Sequence, residues 1–593
     1  LVKTIAAWLE ERTGIVGSAR SLLETPAPGG PRLGRALGLM LFAMLVVELV
    51  TGLLLMTVYS PSTGTAWGSV YFLSYQLDHG WMIRGFHRFG AYASVILGAM
   101  FLLRVVFVGA YRAPREVQWW LAVGLFLTIL VLGVSGNILP WDQRGYWAAV
   151  VETTIAGGVP VVGETTKKLI LGGSELGNLA LTRIYAVHVF VLPAIVAGIL
   201  HVMFRLFLKN GFVGPKDSPR TEPTWPGQAF WLSLGVFVAL GVVVGLTIAY
   251  RGYSLDAPAD PASEDFPARP EWYFLALYQL LKEFQGQEVL ATVVLPGAVV
   301  TSLMALPFLD KVLPRKFAHV LACLLIVGVF GGAGFFTYKA WMKDAHSEDF
   351  ARARAKADAI AERALFLAGR EGVPPEGSSY LLKRDPLHRG GEIFRGKCVA
   401  CHNLGEIRAL ETAGADLKAY GSLAWIRGLL EAPGSEAYFG KVPQCDGMTT
   451  WKESSKLSAK ELDDVAGYVA SFAKTSPDAT PAEWLAEPAN RDHPGRAIFQ
   501  AECVDCHTFG DPAGREKKTQ PAPDLFAWGS DRWTARMIRE PGSTVHYGYL
   551  ETEQKMPAYA TQFTDDDIHT LVRFLKGDYE PQPSGDRAST KPR

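Results

Sequence analysis

Residues 85–108 read GFHRFGAYASVILGAMFLLRVVFV, an apolar run broken only by His87, Arg88 and Arg104 among strongly polar residues. A helix that crosses a membrane needs about 20 mostly apolar residues. A histidine inside one is costly to bury and marks a functional position. Working outward, six more runs of this kind lie at 36–58, 117–139, 184–208, 227–250, 289–308 and 318–338. The spacing therefore predicts an all-α chain with seven membrane-spanning helices.

The 593 residues carry 58 Lys plus Arg against 58 Asp plus Glu, so no excess of positive charge points to nucleic acid as a partner. That balance averages two different halves. From Arg35 to Ala340 apolar blocks alternate with short polar loops, whereas the sequence from Lys343 onward is charged and rich in Pro and Gly. The first 30 residues place Trp8, Leu9 and Ile15 beside charged neighbours, as in an amphipathic helix lying on a membrane surface, and no cleavable signal peptide is read there.

Lys and Arg in short loops set membrane orientation. Arg32, Arg35, Arg112, Arg115, Arg205, Lys209, Lys311 and Arg315 all fall on one side, which is predicted to be cytoplasmic together with the N-terminus. Seven spans then put the C-terminal half outside, in the periplasm or its equivalent, with the spans in a bacterial plasma membrane. The loops 140–183 and 251–288 share that outer side. Long loops in compact proteins are more often functional than idle, so a shared site is expected there.

Four of the six cysteines form two pairs, each followed by histidine: Cys398-Val-Ala-Cys401-His402 and Cys503-Val-Asp-Cys506-His507. This is the attachment motif of c-type heme, two thiols adding to the heme vinyl groups and the adjacent histidine ligating iron. A zinc site needs a second ligand pair; only Cys445 lies near, while Cys323 sits in an apolar run. The surroundings repeat, PLHRGGEIFRGKCVACHNLG matching RDHPGRAIFQAECVDCHTFG, which indicates a duplicated unit of roughly 90 residues. The second unit ends in Lys555-Met556-Pro557 and the amphipathic stretch FTDDDIHTLVRFL, and so resembles class I cytochrome c, in which a thioether supplies the sixth iron ligand. Met556 stands 49 residues after His507, and Met448 stands 46 after His402; the spacing pairs each Met with the His of its own repeat. Met/His ligation raises the reduction potential.

Within the spans, His87 and His188 lie near the same outer depth on the second and fourth runs, a way to hold a low-spin heme between facing helices. The strings GWMIRGFHRFGAY, SGNILPWDQRGYW, TRIYAVHVFVLP and the tetrapeptide Pro270-Glu271-Trp272-Tyr273 resemble cytochrome b of the cytochrome bc family, most closely cytochrome b6 followed by subunit IV of the b6f complex in one chain. The resemblance covers about residues 8–340. It implies that His87 and His188 ligate a heme b, that Arg84 pairs with a heme propionate, and that Gly52 and Gly136 let the porphyrin approach the helix backbone. It also implies that Glu271 accepts a proton from quinol and that Tyr273 shapes the quinol pocket, with the loop bearing Gly157 and Pro160 as the other wall. The domains expected are a surface helix at 1–35, a four-helix heme-binding domain at 36–215, a three-helix subunit IV-like domain at 216–338, a spacer at 339–385, cytochrome c domains at 386–476 and 477–578, and a tail at 579–593.

One departure from the family matters. Its members carry a second His pair about 14 residues further along both helices, a step that rises ~21 Å and returns to nearly the same face. Here the first such position is Phe101 and the second aligns with Met203, while His201 is rotated ~100° from that face. The family's glycine on the third span is Ala122, and the cysteine that anchors an extra inner heme is Ala36, although Gly38 is kept. The sequence thus predicts one heme b and two covalent hemes c, a second heme b being held only if His201 or Met203 serves as a ligand.

The resemblance implies the cytochrome b subunit of a quinol–cytochrome c oxidoreductase, dimeric, with a Rieske iron–sulfur protein as electron acceptor and a c-type cytochrome or another periplasmic acceptor beyond it. Two other readings stand beside it. A Rieske-independent quinol dehydrogenase component differs by the absence of a co-purifying iron–sulfur protein. A non-catalytic electron conduit differs by the absence of quinol oxidation.

Overall fold

The computed structural model describes residues 2–173, 175–213, 221–263, 265–409, 413–439, 446–510, 522–548, 550 and 556–581; Cys445 lies outside them. The described residues form two compact units, one ending at Ser379 and the other beginning at Tyr380.

The first unit opens with α1 (Val2–Thr13) and α2 (Ile15–Glu24), so the expected surface helix is broken at Gly14, whose φ of 63° only glycine adopts freely. The seven expected spans are all present: α3 (Leu33–Met56), α4 (Gly80–Phe107), α5 (Glu116–Ile138), α7 (Asn178–Asn210), α8 (Thr224–Ala249), α10 (Leu290–Val312) and α11 (Arg315–Ala345). Between them lie α6 (Gln143–Gly157) and α9 (Leu275–Glu283), and α12 (Glu348–Glu371) follows. The spans leave Leu49, Leu53, Phe230, Phe237 and Leu324 exposed, an outer surface that only a lipid solvent makes favourable.

Two apolar cores stack along the bundle. One joins α3, α4, α5 and α8 through Met44, Phe89, Leu125 and Val243. The other joins α4, α5, α10 and α11 through Leu102, Trp119, Leu303 and Ile326. In α7 a π-helical turn, Val187–Val191, carries His188 just before Pro193, which has no backbone N–H to give.

At the end of the bundle near His87 the two long loops are bonded to each other. Gln143 donates its N–H to Ala257 O (2.9 Å) and Ala259 donates to Trp141 O (3.1 Å). The Asp142 carboxylate caps α6 through the Gly145 N–H. At the opposite end Pro26–Pro28 pairs antiparallel with Thr221–Pro223, and buried Arg35 donates to the Gly30 and Pro28 carbonyls.

The segment read as a spacer is structured. Arg269 grips Asp344 through two bonds of 2.7 Å, Lys356 reaches Asp265 at 2.6 Å, and Arg354 meets Asp256 at 3.4 Å. The end of α11 and the start of α12 thus hold the loop that leads directly into Pro270-Glu271.

The second unit contains α13 (Gly391–Lys397), α14 (Leu423–Glu431), α15 (Gly447–Ser454), α16 (Ala459–Ser471), α17 (Gly495–Glu502), α18 (Asp531–Arg539) and α19 (Asp565–Lys576). Its two cores do not follow the expected boundary at 476/477. One gathers Trp425, Leu462, Tyr468 and Phe472 of the first repeat with Trp484, Phe499 and Leu525 of the second. The other gathers Ile393 and Phe394 of the first repeat with Ile538, Tyr559, Ile568 and Phe574 of the second.

Candidate heme centres

His87 projects from α4 and His188 from the π-turn of α7, and their ring centroids stand 6.4 Å apart. Two imidazoles flanking one iron, with metal–nitrogen bonds of about 2 Å, place their centroids roughly 6 Å apart. Each ring is oriented through Nδ1, leaving Nε2 for a metal. His87 Nδ1 lies 3.0 Å from Thr51 Oγ1 and 3.2 Å from Glu48 Oε2, and His188 Nδ1 lies 2.9 Å from Ser135 Oγ. A Cβ on Gly52 would stand 3.3 Å from His87 Cε1, and one on Gly136 only 2.8 Å from His188 Cε1. Both glycines therefore face the histidine pair. A cavity of ≈ 1060 Å³ surrounds the pair, at the upper end of the roughly 300–1,000 Å³ typical of ligand sites. The residues present fit a bis-imidazole heme.

Arg84 lines that cavity but is buried in bonds to protein, from Nη1 to Ser74 Oγ (3.1 Å) and the Tyr253 carbonyl (2.6 Å). Glu271, 9% exposed, is held from two sides: the Arg88 guanidinium pairs with Oε1, and the Tyr92 hydroxyl donates to Oε2 at 2.6 Å. Arg88 follows His87 in sequence, so the histidine pair and the loop carboxylate are approached from adjacent residues of α4. Arg88 also stacks on Tyr253 (4.3 Å), whose hydroxyl receives bonds from Arg88 and Arg144. Tyr273 borders the same cavity with its hydroxyl where a side chain on Gly133 would stand, and burial raises its pKa above the ordinary tyrosine range. On α6, burial pushes the Glu152 carboxyl up to about 8. Gly157 ends α6 against the Lys167 side chain.

Sequence reasoning passed over Glu48, Arg88, Tyr92, Tyr253 and Glu152. Charged residues inside apolar runs at 48 and 88 were the available signal.

Further along the cavity Phe101 and Met203 stand where the family resemblance leads one to expect a second histidine pair. The Phe101 ring meets Gly38, Cε2 lying 3.4 Å from the Cβ position, in the register in which His87 meets Gly52. Met203 packs among both membrane cores, whereas His201 is exposed although it borders the cavity. The 13-residue step from His188 has turned His201 off the inward face, as helix geometry requires.

In the second unit each attachment histidine donates Nδ1–H to a backbone carbonyl at 2.8 Å: His402 to Ala415 and His507 to Pro523. That fixes Nε2 as the free ligand nitrogen. Burial lowers both histidine pKa values below the ordinary range, favouring the neutral imidazole a metal needs. Burial likewise pushes the Cys398 and Cys503 thiols up to about 11 and about 12. The donor set suits heme c. Met448 packs in the core that holds Cys503 and Val504, and Met556 in the core that holds Cys398 and Val399.

Comparison with known proteins gives three family matches. Residues 24–211 match "Cytochrome b/b6/petB", 258–341 match "Cytochrome b(C-terminal)/b6/petD", and 490–575 match "Cytochrome C oxidase, cbb3-type, subunit III". Cytochrome b/c1 of Bradyrhizobium diazoefficiens is 28% identical over 477 residues, 69% of each chain. Cytochrome b6 of Porphyra purpurea is 35% identical over 208 residues, 35% of this chain and 97% of that one. A solved chain titled "Hyperthermophilic respiratory Complex III" aligns with TM-score 0.46 at 20% identity, over 57% of this chain and 99% of that one.

Proposed function

This chain belongs to the cytochrome b/b6 family, a multi-pass membrane protein of electron transport joined to cytochrome c domains, and from that premise we propose that it oxidises quinol at the end of the bundle bearing His87. The observation that carries the reading is the ion pair of Glu271 with Arg88, the residue next to His87 on α4. It puts a buried carboxylate and the Tyr92 hydroxyl in one bonded cluster on the helix that carries His87.

Quinol gives up two electrons and two protons on becoming quinone. Glu271 and Tyr92 supply oxygen atoms through which protons pass, and Tyr273 closes the cavity wall. The paired loops 140–177 and 251–271 form the surround, held by Arg269 and Asp344. His87 and His188 would hold a heme that supplies one-electron acceptance, and His402 and His507, with their cysteine pairs, would hold the covalent hemes that extend the electron path. Neither cysteine pair has the ligand complement of an iron–sulfur centre, since each is committed to a heme motif. The family resemblance implies a Rieske protein as the high-potential acceptor, in a dimeric quinol–cytochrome c oxidoreductase of a bacterial plasma membrane. The N-terminus is cytoplasmic and the cytochrome c domains are extracytoplasmic, with electrons passing to a c-type cytochrome or another acceptor there.

The test is quinol:cytochrome c reductase activity of the complex purified through this chain, together with a search for an iron–sulfur subunit. Activity with the Rieske signal supports the proposal. Activity without it moves the assignment to a Rieske-independent quinol dehydrogenase, and absence of activity moves it to an electron conduit.

A further inference from the structure

We propose that the two covalent hemes exchange their axial methionines: the heme attached at Cys398 and Cys401 is ligated by His402 and Met556, and that attached at Cys503 and Cys506 by His507 and Met448. This rests on the heme c reading of the two motifs.

The first observation is helix packing. A Cβ on Gly390, just before α13, would stand 2.5 Å from Phe574 Cβ and 2.9 Å from the Thr570 carbonyl, both of α19. Arg389 Nε donates to Asp567 at 2.8 Å. The helix leading into the first heme motif thus crosses the last helix of the second repeat. In the other core a Cβ on Gly495 would overlap the Asp464 carbonyl and stand 2.9 Å from Tyr468 Cβ, both of α16. The helix leading into the second motif crosses the last helix of the first repeat. The missing side chain is needed at both crossings, because the helices approach to backbone contact.

The second observation concerns the methionines. Met556 shares its core with Cys398, Val399 and Leu404, and Met448 shares its core with Cys503 and Val504. On the helix that carries Met448, Trp451 Nε1 donates to Glu502 Oε2 at 3.0 Å, the residue before Cys503. Tyr559, three residues after Met556, shares that same core with Cys398.

The third observation is the crossing point. To exchange partners the two repeats must pass each other between the heme motif and the next helix. There Ala419 and Gly421 in one repeat, and Ala527 and Gly529 in the other, all have φ between 57° and 76°. The two segments touch: a Cβ on Gly421 would stand 3.7 Å from Gly529 Cα, and the Tyr420 and Trp528 rings pack with centroids 5.2 Å apart. Each repeat turns through the left-handed region at the same place and hands its second half to the other heme. The second repeat's motif thereby closes on a continuous stretch running from α14 to Trp528. The first motif is closed by the two ends of the unit, α13 with α18 and α19.

The experiment uses the full-length, heme-loaded chain. In a C398A/C401A background the only covalent heme left is the one at Cys503 and Cys506, beside a heme b that has no sulfur ligand. There Met448→Ala is expected to abolish the sulfur-to-iron charge-transfer band of the ferric heme, and Met556→Ala to leave it. Loss of the band with Met556→Ala alone, or with neither variant, overturns the exchange. Absence of any covalent heme from the unmodified chain overturns the heme c reading itself. A second measurement needs no heme variant: Arg389→Lys, treated with a zero-length carbodiimide, is expected to yield a cross-link between the introduced amine and Asp567 within one chain. A link from that amine to Glu461, which occupies the same N-terminal capping position on α16, overturns the proposal.

Discussion

The Tyr92 hydroxyl donates to Glu271 Oε2 at 2.6 Å, across from the guanidinium of Arg88 on the other carboxylate oxygen. This carboxylate is not a solvated loop residue. Removing it as Glu271→Ala leaves the Arg88 charge buried, which costs about 3–5 kcal/mol. Glu271→Gln keeps the hydrogen bond from Tyr92 and is expected to fold but to lose at least tenfold in quinol oxidation. Thermal melts and reductase assays of the two variants separate the effects; full activity in Glu271→Gln would remove the carboxylate from the reaction.

Heme content follows from the contact of Phe101 with Gly38. Pyridine hemochrome analysis is expected to give one heme b and two hemes c per chain. His87→Ala and His188→Ala should each abolish the b signal, whereas Phe101→Ala should keep it. Two b components in a redox titration would show that His201 or Met203 completes a second site.

Glu48 bears on the potential of that heme. A carboxylate against Nδ1 makes a ligand imidazole more basic and favours ferric iron. Glu48→Gln, at 3.2 Å from His87 Nδ1, is therefore expected to raise the midpoint potential of heme b with the heme content unchanged. A spectroelectrochemical titration reads the shift, and an unchanged or lowered potential would contradict the role.

The Arg269–Asp344 pair ties the loop that leads into Glu271 to the end of the last span, and both side chains are partly exposed. Breaking it as Asp344→Ala should cost stability of no more than about 1 kcal/mol. The loop loses a tether, so proteolysis within 256–269 should accelerate and quinol oxidation should fall severalfold. Unchanged cleavage and activity would leave the pair without a positioning role.

Acid should destabilise the second unit through His546. Burial, opposed in part by backbone carbonyls, lowers its pKa to about 4. The unfolded chain takes up this proton below about pH 6.5, while the folded chain resists until about 4. The unfolded state therefore binds more protons in that interval, and stability is lost as pH falls from 6.5 toward 4. His546→Tyr, the residue type found at the matching position 438 of the first repeat, should flatten this part of the melting profile.

Much was legible in the chain itself. Seven apolar runs, two Cys-x-x-Cys-His motifs and the positions of His87 and His188 depend only on local composition and helix periodicity, so they were readable residue by residue. That Phe101 keeps the angular register of His87 while His201 misses that of His188 was readable for the same reason. The ion pair of Glu271 was not, since Arg88 and Tyr92 lie about 180 residues away and meet it only through the packing of the loop on α4. Nor was the partner of each methionine. Two repeats of one sequence offer nearly interchangeable halves, and spacing along the chain cannot tell a Met folded back on its own repeat from one passed to its neighbour. Where the segments cross at Gly421 and Gly529, the tertiary structure made that choice.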